Sequence, residues 1–292
     1  MRVFVTGATG FIGSALVPEL IQAGHRVLGL SRSEAGAKSL QAAGAEVHRG
    51  NLEDLESLRS GAAKSDGVIH LAFDHDFSRW TETSEMDRRA IAALGAALEG
   101  SDRPMIVTSG TAVAFTPGRL TTEDDAPNSP IPRVATEEAA AAVQAKGVRV
   151  SVMRLPQVHD PLKQGLITPL IAIAREKGVS AYVGEGLNRW PAVHVRDAAR
   201  VYGLAVEKGS AGARYNAVGE EGVALREIAE SIGRGLKLPV VSKTPEEASE
   251  HFGWLGVLVG VDIPASSTLT RERLGWHPTG VGLIADLDRA EF

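Results

Sequence analysis

Arg2-Val3-Phe4-Val5-Thr6-Gly7-Ala8-Thr9-Gly10-Phe11-Ile12-Gly13 decides the fold of this chain. A short apolar strand runs into glycines at positions 7, 10 and 13, and an amphipathic helix carrying Leu16, Val17, Leu20 and Ile21 follows at once. Glycine tolerates positive φ and lets backbone N–H groups come close to a ligand, while a helix N-terminus adds about half a positive charge. Strand, glycine turn and helix in this order make a cradle for a dinucleotide pyrophosphate. The spacing is G-x-x-G-x-x-G rather than the commoner G-x-G-x-x-G. Gly7, Thr9, Gly10, Phe11, Ile12 and Gly13 are the residues expected to line it.

Outward from that stretch, strand and helix alternate at the pace of a parallel sheet. Strands are predicted at 25–30, 46–49, 67–72, 104–109 and 148–155, with helices at 35–43, from 52 onward, at 86–98 and at 137–145. Gly67-Val68-Ile69-His70-Leu71-Ala72 is apolar almost throughout, as a strand covered on both faces should be. Beyond 158 the pattern predicts a helix at 167–176, a strand at 191–195, a helix capped by Asp197, and another from Leu225 to Leu236. Thr244-Pro245-Glu246-Glu247 reads as a capping box with proline at the first helical position. The fold class is therefore α/β: a Rossmann-type doubly wound parallel sheet over 1–158, with 190–218 contributing to it, and a smaller C-terminal α/β substrate lobe over 159–292. The loop 126–132, with its three prolines, falls where the edge of an active site is expected.

Composition narrows the function. The 292 residues carry a net charge of −5 with no block of Lys and Arg, which argues against a nucleic-acid or membrane-surface partner. The absence of cysteine excludes disulfides, thiolate metal sites and Cys nucleophiles. No His pair stands at metal-ligand spacing, so no metal is expected. No apolar run is long enough to span a bilayer and no signal-peptide pattern opens the chain, so the expectation is a cytoplasmic protein acting on a small molecule.

Several short motifs in fixed order carry a resemblance: Thr6 to Gly13, Gly50-Asn51-Leu52, His70-Leu71-Ala72, Val193-His194-Val195-Arg196-Asp197-Ala198-Ala199, and Leu274-Gly275-Trp276-His277-Pro278. Together they resemble the extended short-chain dehydrogenase/reductase family, the NAD(P)-dependent epimerase and dehydratase type, over nearly the whole chain. The resemblance implies NAD or NADP as cofactor and admits a homodimer. It also implies a catalytic Tyr followed four residues later by Lys, and here Arg133 and Glu137 occupy those places. Tyr182, Tyr202 and Tyr215 are followed at that distance by Gly186, Val206 and Gly219, so the chain has no Tyr-x-x-x-Lys. The assisting Ser/Thr falls at Gly110, flanked by Ser109 and Thr111.

The second strand ends Leu30-Ser31-Arg32, without the acid that would bind a ribose 2′-OH. A guanidinium pairs with a 2′-phosphate where a carboxylate repels it, so Ser31 and Arg32 favour NADP(H) over NAD(H). Asn51 and Leu52 are expected beside the adenine; Leu71, Ala72 and Phe73 beside the ribose and nicotinamide; Pro156 lines the far side. Four residues are candidates for the chemistry. His75 lies in the Asp74-His75-Asp76 loop, where the carboxylates should raise its pKa; Ser109 and Thr111 follow the fifth strand; His159 follows the sixth. Arg133 either binds an anion or fills exposed space in a proline-rich loop, and Trp190 and Trp254 either wall a pocket or pack in the core. The expected activity is NADP(H)-dependent reduction of a small carbonyl compound with a non-standard proton donor. The alternatives are an NADP(H) sensor without turnover and a redox-neutral epimerase or isomerase.

Overall fold

A computed structural model describes residues 1–114 and 116–291. The first half runs β1 (Arg2–Thr6), α1 (Phe11–Gln22), β2 (Arg26–Ser31), α2 (Glu34–Ala42), β3 (Glu46–Arg49), α3 (Leu55–Ala63), β4 (Gly67–His70), α4 (Trp80–Ala96), β5 (Met105–Gly110), α5 (Val134–Gln144) and β6 (Val150–Leu155). Then come β7 (Gln157–His159), α6 (Ile167–Lys177), β8 (Ser180–Val183), β9 (Arg189–His194), α7 (Val195–Lys208), β10 (Arg214–Asn216), β11 (Glu220–Ala224) and α8 (Leu225–Leu236). The chain closes with β12 (Val240–Lys243), α9 (Pro245–Phe252), α10 (Gly256–Val259), α11 (Thr268–Leu274) and α12 (Leu283–Leu287).

Seven parallel strands form one sheet in the order β10-β6-β5-β4-β1-β2-β3, which reverses direction beside β1. Alternating side chains decide which layer each strand residue joins. Val3, Val5, Ile69, Ile106 and Met153 pack with α1 and α7, whereas Phe4, Val68, Met105, Val107 and Val152 pack with α3, α4 and α5. A third apolar cluster, built from α6, α8, α9 and α12 around Trp190, fills the C-terminal lobe. That lobe carries a three-stranded sheet, β11-β9-β7, and a β12-β8 pair. The segment 190–218 serves both parts: β9 lies in the lobe sheet, while α7 covers the large sheet and β10 extends it.

Several boundaries differ from the sequence reading for local reasons. β4 stops at His70, because Leu71 and Ala72 leave the sheet and donate their N–H groups to Thr6 O (3.3 Å) and Thr6 Oγ1 (3.2 Å). Helix α3 starts at Leu55: Asn51 Oδ1 accepts from Glu53 N and Asp54 N, forming a turn, and Asp54 then caps the helix. Helix α4 starts at Trp80, fed by a 3-10 turn at Phe77–Arg79 that Asp76 caps, and α5 starts at Val134. Asp197 is not the cap of α7. His194 is, its ring accepting from Arg196 N at 3.2 Å, while Asp197 is buried in the first turn and accepts from Thr279 N and Gly280 N. The Thr244 capping box forms as expected.

Candidate active site

The glycine turn forms at the carboxyl end of β1. Gly7 has φ +68° and sits so close to the next loop that a Cβ there would lie 2.8 Å from Ala72 N. A Cβ on Gly13 would lie 2.1 Å from Gly7 O, so this glycine seats α1 against the turn. Gly10 differs: a Cβ on it would meet only Gly7 O, at 3.1 Å, and the residue is exposed beside exposed Thr9 and half-exposed Phe11 and Ile12. Gly10 is the N-cap of α1 but supplies no side-chain cap, and the first turn holds no acid. By contrast α2, α3 and α9 are capped by Ser33, Asp54 and Thr244. A helix start with free N–H groups, no acid and an open glycine fits a dinucleotide pyrophosphate.

The tip of β2 adjoins this cradle. A Cβ on Gly36 would meet both Ser31 Oγ (2.6 Å) and Thr9 Cγ2 (3.2 Å), so α2, the β2 tip and the glycine turn converge. Ser31 is buried and donates to Ser33 O at 3.0 Å, while Arg32 is exposed and makes no ion pair among the described residues. Arg49 sits across from Ser31 in β3 and pairs with Glu34. Asn51 is exposed with its carboxamide oxygen engaged in the turn, Leu52 is half-buried, and Pro156 is buried at the end of β6.

The loop after β4 is crowded by aromatic rings. His75 lies edge-on to Phe73 (5.3 Å between ring centres) and Phe77 (6.0 Å), and Phe77 stacks on Trp254 of the C-terminal lobe at 4.4 Å. Trp254 is nonetheless exposed and not part of the core, whereas Trp190 is fully buried. Asp74 pulls the His75 pKa up as expected, but too weakly to prevail. Asp76 Oδ1 and Asp74 Oδ1 hold the turn, and both carboxylates pair with Arg79. His75 keeps an exposed edge, but the protein crowding its ring, then the charges of Arg133 and Lys163, push its pKa below the ordinary value.

Arg133 does not fill exposed space. Its side chain is only 13% exposed; Nη1 donates to Asp87 Oδ2 (3.0 Å), Nη2 to the Thr108 carbonyl (2.7 Å), and the guanidinium lies 3.7 Å over the Phe73 ring. Asp87, on α4, also accepts from Thr136 Oγ1 (2.5 Å) and contacts His70 Nε2 (3.0 Å), and His70 Nδ1 meets Thr6 Oγ1 (2.7 Å). Burial alone would push the Asp87 carboxyl up, but Arg133, His70 and Thr136 together hold it below the usual range. Glu137 is equally fixed, accepting from Arg154 Nε and Nη2 at 2.7 and 2.8 Å in a fully buried pair. Thr6, His70, Ser109 and Arg154 thus form a polar layer between the sheet and helices α4 and α5. Ser109 pairs with Arg154 across β5–β6 and so faces the same helices; its Oγ is buried with no partner among the described residues.

The other candidates lie in different surroundings. Thr111 is buried in the turn after β5. His159 is fully buried in β7, its Nδ1 2.7 Å from Asp286 Oδ2 and its ring 5.8 Å from that of His194. Burial pushes its pKa down, against Asp286. Tyr202 is buried on Thr108 Oγ1 (2.7 Å), and burial pushes its phenol up. Sequence reasoning missed Asp87, His70, Thr136 and Lys163. The signal for His70 was its position directly before Leu71-Ala72; nothing local marks Asp87, which lies between Met86 and Arg88.

Comparison with known proteins bears on this geometry. The NAD dependent epimerase/dehydratase family model matches residues 3–218. An uncharacterized protein of Schizosaccharomyces pombe is 51% identical over 289 residues, covering 98% of each chain. A UDP-glucose 4-epimerase of Streptomyces lividans is 27% identical over 339 residues, covering 100% of this chain and 95% of its own. Among solved structures, the dTDP-glucose 4,6-dehydratase DesIV of Streptomyces venezuelae, with NAD and TYD bound, superposes with a TM-score of 0.79 at 20% identity, covering 100% of this chain and 96% of its own.

Proposed function

This chain belongs to the NAD dependent epimerase/dehydratase family, and from that premise we propose that it is an NADP(H)-dependent oxidoreductase that reduces a small carbonyl compound. The cofactor, when bound, supplies the hydride. Gly7, Gly10 and Gly13 with Thr9, Phe11 and Ile12 would hold its pyrophosphate, Ser31 and Arg32 its 2′-phosphate, Asn51 and Leu52 its adenine side, and Leu71, Ala72, Phe73 and Pro156 its nicotinamide side.

One observation carries the choice of reduction over epimerisation. Where the resemblance places the Tyr-Lys pair stand Arg133 and Glu137, each fixed in a buried ion pair. Epimerisation through a ketone intermediate begins by taking a proton from an alcohol, which demands a strong base. Arg133 is a cation, Glu137 is closed off by Arg154, and His75 is made a weaker base by its surroundings. Carbonyl reduction needs only a group that polarises oxygen and a proton that follows. His75 donates that proton, and Ser109 and Thr111 assist in holding the oxygen. Because the His75 pKa is lowered, its protonated form is lost as pH rises through a point below about 6.5. Reduction should therefore be fastest on the acid side, and His75→Ala should flatten that limb.

The loss of the Tyr-Lys pair also fits a sensor that binds NADP(H) without turnover. Following NADPH absorbance against aldehydes, ketones, enones and imines separates the readings. Net consumption that Gly10→Val abolishes supports a reductase; tight NADPH binding with no consumption overturns it.

A further inference from the structure

We propose that Arg133 is the oxyanion-binding residue of the carbonyl reduction and that Asp87 is the positioning residue that aims it. The inference rests on the reductase reading above and assigns its electrophile.

The guanidinium is restrained on three sides. Asp87 holds Nη1, the Thr108 carbonyl in the last half of β5 holds Nη2, and Phe73, from the loop after β4, covers one face. Both contacting segments rise from carboxyl ends of central strands, where open α/β sheets bind their ligands. The pair is also oriented. Asp87 is 1% exposed and Arg133 13%, so of the two it is the cation that keeps access to solvent. The acids of the loop after β4, Asp74 and Asp76, are paired with Arg79, and Lys163 adds a second cation over Phe11 of the glycine turn. Arg133 over Phe73 and Lys163 over Phe11 thus set two cations against aromatic rings beside the glycine turn, a setting for an oxygen that becomes negative. Asp87 is tied in turn through His70 to Thr6, whose Oγ1 accepts from Ala72 N, so the aim of Arg133 is fixed to the floor of the cofactor site.

The step balances with a dihydronicotinamide as reductant. A bound dihydronicotinamide would give hydride to the carbonyl carbon and become the oxidised, cationic nicotinamide ring of the intact dinucleotide; the C=O π pair would move onto oxygen beside Arg133, and that oxygen would take the proton of protonated His75, which a solvent proton restores.

The test uses the full chain with Arg133→Gln, which removes the charge and shortens the side chain but leaves a polar amide, and Arg133→Ala. For the aldehyde that the wild type reduces best, Arg133→Ala should lower kcat roughly 10²- to 10³-fold, and millimolar guanidinium should restore part of it in a saturable way. Asp87→Asn should lower kcat by up to roughly 10²-fold with KM little changed, and added guanidinium should not help it. Benzoate, whose carboxylate mimics the oxyanion, should bind the cofactor-free wild type and bind Arg133→Gln roughly tenfold or more weakly by calorimetry. Should the wild type reduce nothing, the reductase reading fails, and this inference fails with it. Turnover in the wild type with kcat and benzoate affinity unchanged in Arg133→Gln would overturn the inference alone and leave Arg133 a structural ion pair.

Discussion

The glycine cradle and the polar layer under α4 and α5 sit side by side at the carboxyl ends of the same strands, yet they are made differently. The cradle is backbone: three glycines and a helix start within residues 7–13, with the loop at Leu71-Ala72 pressed against it. The layer is side chain: Thr6, His70, Asp87, Arg133, Thr136, Glu137 and Arg154, gathered from β1, β4, α4, α5 and β6 and joined by hydrogen bonds and two buried ion pairs. A backbone site fails when a Cβ intrudes, and a charged layer fails when one member leaves another uncompensated. The two regions should therefore respond to mutation in different currents of cause: steric in one, electrostatic in the other.

The largest effect is expected in the layer. Asp87→Ala leaves Arg133 without its anion and His70 without its partner, and removing one member of a buried pair costs about 3–5 kcal/mol. Chemical denaturation should show that loss; a cost no greater than that of an exposed pair would mean the layer is not a unit. Next comes Gly13→Ala, whose Cβ must displace Gly7 O and Ala8, at about 1–3 kcal/mol. Gly10→Ala should leave the unfolding midpoint near the wild type while weakening NADPH binding, because its Cβ meets so little protein. Equal destabilisation by the two substitutions would erase the distinction between a packing glycine and a ligand-facing one.

A smaller effect is expected at the β2 tip. Arg32→Ala should lower the NADPH-to-NADH affinity ratio roughly tenfold, the worth of a charge-assisted contact, and an unchanged ratio in titrations with both cofactors would remove Arg32 from the site. The smallest lies in the C-terminal lobe. His159 is faced by Asp286, Glu220 and His194, and its pKa is lowered by burial. The unfolded chain therefore binds the proton more readily, so this residue's contribution to stability is present above about pH 6.5 and is lost as pH falls from there to the lower folded-state value. His159→Gln should flatten that slope in unfolding midpoints measured between neutral and mildly acidic pH.

The same contrast explains what was legible in the sequence. The strand, glycine turn and helix of residues 2–22 could be read because they are contiguous and glycine has few other reasons to recur at that spacing. The strands of the large sheet could be read because burial on both faces makes them apolar runs, as at Val68 and Ile69. The capping box at Thr244 was equally local. Arg133 stood out only as a departure at a family position, and its surroundings did not follow from its proline-rich neighbours. Asp87 was invisible because its partners lie 17, 46 and 49 residues away, and an acid among charged helix residues looks like a solvated face. Asp197 misled for a related reason: an acid near a helix start resembles a cap, but its carboxylate is bound by a loop more than 80 residues on.

Hydride transfer is the central claim, and isotope transfer tests it most directly. NADPH deuterated at the transferring ring carbon would be incubated with the best carbonyl substrate and the product examined by mass spectrometry and NMR. Deuterium on the former carbonyl carbon, with one oxidised cofactor per product formed, is the predicted result. Product without deuterium, or a rearranged substrate with the cofactor returned in its starting state, would contradict it.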